Sequence, residues 1–190
     1  MKRFTTILLL TGILFSACKK KEETTRSAIQ PPFAKVNVAY DSFELDAAKG
    51  GTWKHPTGTE VILPAGILVD GAGNPVQGNV EFRYRQFNDV GDVLVGGVPM
   101  GYDSAGTKHI FQTGGMFQLD AFQNGQPVAI ANGKSLKVRL ASFSDRTDFN
   151  HYFLDSTSGA WNYEAQDLNI QQNPDKSKLL AEIGKEPTKP

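Results

Sequence analysis

A strand–turn–strand stretch between Thr57 and Phe87 limits most strongly what this chain can fold into. Residues 79–87 alternate between apolar and polar side chains with a period of two, which is the spacing of opposite faces of a β-strand. The alternation predicts a buried face of Val80, Phe82 and Tyr84 and a solvated face of Glu81, Arg83 and Arg85. A Gly-rich turn at residues 71–75 separates this strand from the preceding apolar run and leaves no room for a helix.

Short apolar runs divided by turns continue as far as Tyr163. The 19 glycines and 10 prolines fall between the runs, and Asn124-Gly125 is a dipeptide that tolerates the positive φ of a tight hairpin. We therefore predict an all-β domain over residues 33–164, an antiparallel β-sandwich of about nine or ten short strands. Residues 35–45 and 93–95 are among the expected strands. Helical periodicity is present only at residues 176–183 and predicts a short helix in a C-terminal tail, residues 165–190.

The N-terminus has the three parts of a secretory signal peptide. Two basic residues precede an apolar run at residues 7–15, which is too short to stay in a bilayer as a spanning helix, and two small residues stand directly before Cys18. The ending, residues 14–18, resembles a bacterial lipobox, with Leu14 one position further from the cysteine than is usual. The resemblance implies removal of residues 1–17 and lipidation of Cys18, and two or three acyl chains would anchor the protein stably.

Residues 18–32 are predicted to be a flexible tether, because they are polar and end in two prolines. The run Lys21-Glu22-Glu23 resembles the charged export tags of lipoproteins on the outer face of the Bacteroidota outer membrane. Cys18 is followed by Lys19 rather than the aspartate that retains some lipoproteins in the inner membrane. These resemblances imply an outer-membrane protein, lipid-anchored and facing the periplasm or the cell exterior.

Charge and cysteine content exclude several function classes. Removal of the first 17 residues leaves 18 basic and 20 acidic residues, a net charge of −2, which gives no basic excess for nucleic acid. The single cysteine allows no internal disulfide. The three histidines lie about fifty residues apart, so the sequence contains no zinc signature. We expect no metal and no cofactor.

Several motifs resemble uncharacterised lipoproteins of Bacteroidota over about residues 50–163. They include Thr57-Gly-Thr-Glu-Val-Ile-Leu-Pro-Ala, the turn at residues 70–78, Phe82-Arg-Tyr-Arg-Gln-Phe and Trp161-Asn-Tyr. The first motif is also similar to the β-sandwich shared by zona-occludens proteins and netrin receptors. That resemblance implies protein contacts and supplies no catalytic set, and similarity of fold alone does not assign a function.

The function predicted from the sequence is therefore non-catalytic: an accessory or interaction module that binds a protein or a glycan. Trp53 and Tyr102 stand in Gly-rich stretches that we predict to be loops, and they are the candidate ligand surface. The alternative is a carbohydrate-active or self-processing domain. Some relatives of the netrin-receptor sandwich cut themselves between Phe and Ser, which implies cleavage at Phe143-Ser144 with His109 or His151 as the base.

Two further motifs concern modification. Asp103-Ser104-Ala105 and Asp155-Ser156-Thr157 resemble the acceptor of Bacteroidota O-glycosylation. The resemblance implies glycans on Ser104 and Ser156, both near predicted loops. Turns closed by the aspartate and serine side chains explain the same residues without a glycan.

Overall fold

The computed structural model describes residues 27–142, 144, 146–166, 170–171, 173–174 and 176–183. It confirms the all-β class: strands make up 41% and helices 8% of the structure, and the sheets are antiparallel. The strands in the described part number thirteen rather than nine or ten, because several are pieces of two or three residues. The predicted C-terminal helix is present at Lys176–Ile183. The elements are β1 Asp41–Asp46, β2 Gly51–Lys54, β3 Glu60–Leu63, β4 Leu68–Val69, β5 Asn79–Phe87, α1 Val90–Gly96, β6 Gly101–Ser104, β7 Thr107–Ile110, β8 Met116–Gln123, β9 Gln126–Pro127, β10 Ala129–Ile130, β11 Lys137–Arg139, β12 Asn150–Leu154, β13 Trp161–Gln166 and α2 Lys176–Ile183.

The largest sheet has four strands in the order β1-β5-β8-β9, and β5 is its longest strand. Val80, Phe82 and Tyr84 are buried along one face of β5, as the alternation predicts. They join the core, together with residues of the three-stranded sheet β11-β3-β2. Stacked rings connect the two sheets, since Phe43 of β1 lies 4.0 Å from Trp53 of β2 and 5.2 Å from Phe82, centroid to centroid.

The opposite face of β5 is only partly solvated. Glu81 and Arg83 reach solvent and form an ion pair of 2.8 Å, whereas Arg85 is 4% exposed. The prediction of a solvated Arg85 is therefore wrong. The residues that precede β1 cover it, and a period of two cannot show what a neighbouring segment covers.

Two hairpins stand outside these sheets: β6 pairs with β7 and β12 pairs with β13. The β6–β7 turn is formed by Ala105 and Gly106 with φ of 53° and 81°, and Asp103 Oδ1 accepts a hydrogen bond of 2.9 Å from Gly106 N–H. The predicted Asn124-Gly125 turn joins β8 to β9, and both residues have positive φ. The hairpins therefore follow the turn chemistry of the sequence.

The strand expected at residues 93–95 is wrong, because these residues belong to helix α1. The side chain of Asp89 caps the first turn by accepting from Asp92 N–H at 2.9 Å. Gly97 caps the other end with φ of 67°, a left-handed conformation that glycine adopts without cost. Gly96 packs against the ring of Phe87, where a side chain would collide. Both capping residues are visible in the sequence, but the apolar run is too short to show its period.

Residues 27–40 form an extended segment without helix or strand, which we call the strap. Its beginning belongs to the predicted tether, yet Ala28 N–H donates to the carbonyl of Ser156 at 2.6 Å and Gln30 N–H donates to the carbonyl of Gly97 at 3.0 Å. The strand expected from residue 35 begins only at Asp41. The part of the tether that the structure describes is thus attached to the body rather than free.

Candidate functional site

The two isolated hairpins present a band of aromatic side chains. In β6–β7, Tyr102 lies opposite His109, and in β12–β13, Tyr152 lies opposite Tyr163. Because side chains alternate along a strand, Trp161 shares the face of Tyr163 two residues further on. We call this band the hairpin surface. Its members are Tyr102, His109, Phe111, Tyr152, Trp161 and Tyr163.

Phe111 holds the hairpin surface together. Its ring centroid lies 4.3 Å from Tyr102, 4.7 Å from Tyr152 and 5.2 Å from Trp161. The indole N–H of Trp161 donates to the carbonyl of Pro99 at 2.7 Å, which fixes this ring. Edge-to-face and tilted contacts of this kind are favourable for aromatic pairs. The centre of the band therefore joins the hairpins as a small core.

The rim of the hairpin surface remains open to solvent. Tyr163 is 59% exposed and contacts Tyr152 edge to face at 5.7 Å. Tyr152 and His109 are also exposed. Exposed aromatic rings held by a rigid base can bind a flat apolar surface at low entropic cost, because few rotatable bonds need to be fixed. Among the described residues, this rim is the surface best suited to binding.

Apolar side chains on the other faces of the hairpins are exposed as well. Ile110 of β7 is 80% exposed, and Phe153 of β12 is exposed to a similar degree as Tyr163. Each is next in sequence to a member of the hairpin surface and so points to the opposite side of its strand. The hairpins thus expose apolar groups on both faces, which is unusual for a part of a protein without a partner.

The two residues predicted as the ligand surface lie in different places. Tyr102 belongs to the hairpin surface, in β6 rather than in a loop. Trp53 lies in β2, half-buried between Phe43, His55 and Tyr84. Trp53 is therefore part of the packing between the large sheets and does not lie in a loop. Its Gly-rich flanks predict a loop, but glycine also occurs in short strands where another segment packs closely.

Both predicted glycan acceptors are exposed. Ser104 ends β6 and shares the face of Tyr102, two residues before it. Ser156 lies in the β12–β13 turn, where Asp155 accepts from Thr157 N–H at 2.8 Å and from Ser158 Oγ–H at 2.6 Å. Accessible turns suit a glycan, and the same hydrogen bonds also close ordinary aspartate turns.

A buried polar network next to the core was not found by sequence reasoning. The side-chain oxygen of Gln86 lies 2.7 Å from Tyr84 Oη and 3.1 Å from Thr59 Oγ1, and the side-chain nitrogen donates to the carbonyl of Ala141 at 2.9 Å. Burial raises the pKa of Tyr84 to about 12, so its hydroxyl remains a donor at neutral pH. These groups connect β5, the residue directly before β3 and the chain after β11.

An Asp–His–Thr chain extends this network toward solvent. His55 lies 3.0 Å from Asp41 Oδ2 through Nε2 and 2.6 Å from Thr57 Oγ1 through Nδ1. The order of groups is that of a nucleophile, a base and an orienting acid. Thr57 Oγ1, however, also donates to Gln86 at 3.2 Å and is half-buried. The chain therefore fixes the turn after β2, and its residues are too widely spaced in sequence for a motif to show it.

The proposed cleavage site is only partly described, because Phe143 lies outside the described residues. Ser144 Oγ accepts a hydrogen bond of 3.2 Å from Arg146 N–H. Ser144 also lines a small cavity of about 80 Å³ together with Gln86 and Thr113. Cys18 and the predicted signal peptide likewise lie outside the described residues.

Among the residues that the structure describes, no group of three or more histidine, cysteine, aspartate or glutamate side chains is placed to hold a metal ion. Neither helix of this part of the chain has the length and apolar character needed to cross a bilayer. No family model, curated protein or solved structure matches the chain.

Proposed function

We propose that this protein is a non-catalytic interaction module, lipid-anchored to the outer membrane through Cys18, whose hairpin surface binds a glycan. The anchor is supported by the signal peptide and the lipobox resemblance. The binding surface is supported by one observation above others: aromatic rings remain exposed on hairpins that a shared aromatic core holds rigid. Sugar rings stack on such aromatic faces through their C–H groups.

Tyr163 is the side chain on which this proposal depends most. It is the most exposed tyrosine of the hairpin surface, and its ring contacts Tyr152 edge to face rather than packing into the core. Its face is therefore available to a pyranose ring. The phenol hydroxyl groups of Tyr152 and Tyr163, which lie opposite each other in the β12–β13 hairpin, would supply the polar contacts that orient a sugar.

A protein partner is the second candidate, and the exposure of Ile110 and Phe153 favours it. Aliphatic and aromatic groups on both faces of a hairpin suit a protein groove better than a sugar. The two candidates use opposite faces of the same strands. Mutation can therefore separate them.

A glycan array probed with the whole chain, followed by calorimetry on the best ligand, tests the proposal. We expect Tyr163→Ala to weaken binding about tenfold, since loss of one stacking contact costs on the order of 1–2 kcal/mol. Leu94→Ala is the control for an exposed apolar side chain, because Leu94 is 61% exposed but lies on helix α1, outside both the hairpin surface and the strap. Equal binding by wild type and Tyr163→Ala would exclude the hairpin surface.

The protein alternative has its own variant. Ile110→Ser removes an exposed aliphatic group from the other face and leaves the aromatic band unchanged. A partner captured by wild type and by Tyr163→Ala but lost with Ile110→Ser would identify a protein ligand and reject the glycan.

The mass of the mature protein from membranes tests the anchor, because the mass of residues 18–190 plus acyl groups is expected. A split after Phe143 would instead establish self-processing.

A further inference from the structure

Arg85 is a buried cation whose hydrogen bonds all go to neutral groups. Its Nε and Nη2 donate to the amide oxygen of Gln118 at 3.0 and 2.7 Å, and its Nη1 donates to the amide oxygen of Asn37 at 2.7 Å. The ion pairs of the described residues do not include it. The nearest linked carboxylate is that of Asp120, which accepts from the other end of Gln118 at 2.8 Å.

This arrangement is incomplete for a guanidinium group. A guanidinium group has five N–H donors, and pairs of them match the two oxygens of a carboxylate. Burial of its positive charge without a negatively charged partner costs free energy. Gln118 accepts from both Nε and Nη2, while Asn37 accepts from Nη1 alone, and the Asn37 oxygen also accepts from Val38 N–H at 2.9 Å. Asn37 therefore acts as a weak substitute for an anion.

The cover over Arg85 is held loosely. Asn37 and Tyr40 belong to the strap, and the ring of Tyr40 lies 4.6 Å from the guanidinium carbon. The strap has no regular structure, and Phe33, Val36 and Tyr40 remain exposed, so it buries little apolar area. Segments with few buried contacts open at a low free-energy cost.

The groups beneath the strap suit an acidic sugar. Arg83 lies two residues from Arg85 on the same face of β5, and its guanidinium lies 4.5 Å from the ring centroid of Phe122. The ring of Phe87 is 5.1 Å from the Arg85 guanidinium. The ring of Phe87 is 2% exposed and packs beneath Gly96 of α1, so the half-buried ring of Phe122 is the flat surface left for the pyranose, on the same face of the sheet as the Arg85 cation.

We propose that the strap is a movable cover over a carboxylate-binding site centred on Arg85, and that this site takes a uronic acid. In the covered state the amide oxygen of Asn37 accepts a hydrogen bond from the guanidinium of Arg85. In the open state the sugar carboxylate replaces Asn37 and accepts a charge-assisted hydrogen bond from Nη1 of the guanidinium. The site is separate from the hairpin surface, and its test does not depend on a ligand there.

Strap variants test the proposal without altering Arg85. Calorimetry with sodium glucuronate on the whole chain should give binding about tenfold tighter for Asn37→Ala than for wild type, because the competing contact to a charged group is gone. Asn37→Asp supplies an internal carboxylate, and we expect it to abolish binding. Glucose is the matched neutral sugar, and its affinity should be the same for all three proteins because it has no carboxylate for Arg85.

Two more measurements locate the ligand. The Arg85 Nε–H resonance should shift when glucuronate is added to Asn37→Ala. N-acetylglutamate presents the same carboxylate on a peptide unit, and preference for it over glucuronate would overturn the assignment to a sugar. Failure of Asn37→Ala to bind glucuronate, or equal binding by Asn37→Ala and Asn37→Asp, would overturn the site itself.

Discussion

Replacement of Gly97 by alanine isolates the attachment of the strap. A Cβ at this position would overlap the backbone of the strap at the carbonyl group of Gln30 and the nitrogen of Pro31, and backbone atoms cannot yield as a flexible side chain can. Gly66 is the matched control. It has the same φ of 67°, and a Cβ placed on it would have no neighbouring atom within 4 Å. The two variants share the backbone strain and differ in the collision with the strap.

The expected difference follows from the contacts that the collision breaks. The left-handed conformation costs alanine about 1–2 kcal/mol in either variant. Gly97→Ala should in addition lose the hydrogen bonds of Gln30 N–H and Ala28 N–H, at about 1 kcal/mol each. We therefore expect Gly66→Ala to lose about 1–2 kcal/mol of unfolding free energy and Gly97→Ala about 3–4 kcal/mol.

Urea unfolding of both variants measures this difference, and limited trypsin digestion shows where it arises. Lys35 is an exposed residue in the middle of the strap. Its cleavage should become faster in Gly97→Ala and stay at the wild-type rate in Gly66→Ala. Equal losses of stability together with equal cleavage at Lys35 would refute the attachment of the strap. The same pair can be titrated with glucuronate, and only Gly97→Ala should bind more tightly than wild type.

Three further predictions concern the body. Since burial raises the pKa of Tyr84 from 10.0 to about 12, its contribution to stability is complete below pH 10 and is lost as pH rises toward 12; alkaline denaturation of Tyr84→Phe should show a weaker pH dependence than wild type. Gln86→Leu should cost about 2–4 kcal/mol in urea unfolding because several buried polar groups lose a partner, and a loss below about 1 kcal/mol would show that this network contributes little. Hydrogen bonds from Asn74 lower the pKa of Asp70, so its stabilising effect disappears as pH falls below the ordinary value of 3.8; Asp70→Asn should lose less stability than wild type between about pH 5 and 2, and identical acid profiles would contradict this.

The sequence predicts those parts of the fold that local rules determine. The alternation of β5 correctly predicts its buried face, and the periodicity at residues 176–183 predicts α2 together with its bounds. The Asn124-Gly125 turn forms the hairpin that its chemistry favours. In each of these cases the structure is determined by interactions between residues close together in the sequence.

Prediction from the sequence fails where a segment distant in the chain determines the burial and contacts of a residue. Arg85 is buried because residues 37 and 40 cover it, 48 and 45 positions away. The hairpin surface forms because Phe111 contacts Tyr152 and Trp161 of another hairpin, and only Tyr102 of its members was singled out from sequence as a ligand-binding residue. Tyr102 is predicted because it stands in a Gly-rich stretch. The same criterion also selects Trp53, which packs between the sheets, so Gly-rich surroundings alone do not identify exposed aromatic residues.

The strap connects the proposed anchor to the proposed carboxylate site. Eight residues separate Cys18 from Ser27, so the chain between them can span at most about 30 Å before Ser27 Oγ donates to the carbonyl of Ser156. A lipidated Cys18 would thus hold the β12–β13 turn near the bilayer. Release of Ala28 and Gln30 would lengthen the free chain and weaken the cover over Arg85 together, because both depend on the same segment. With the proposed anchor and the proposed site both in place, distance from the membrane and access to Arg85 would be coupled, and a ligand that opens the strap would also let the body move further from the membrane surface.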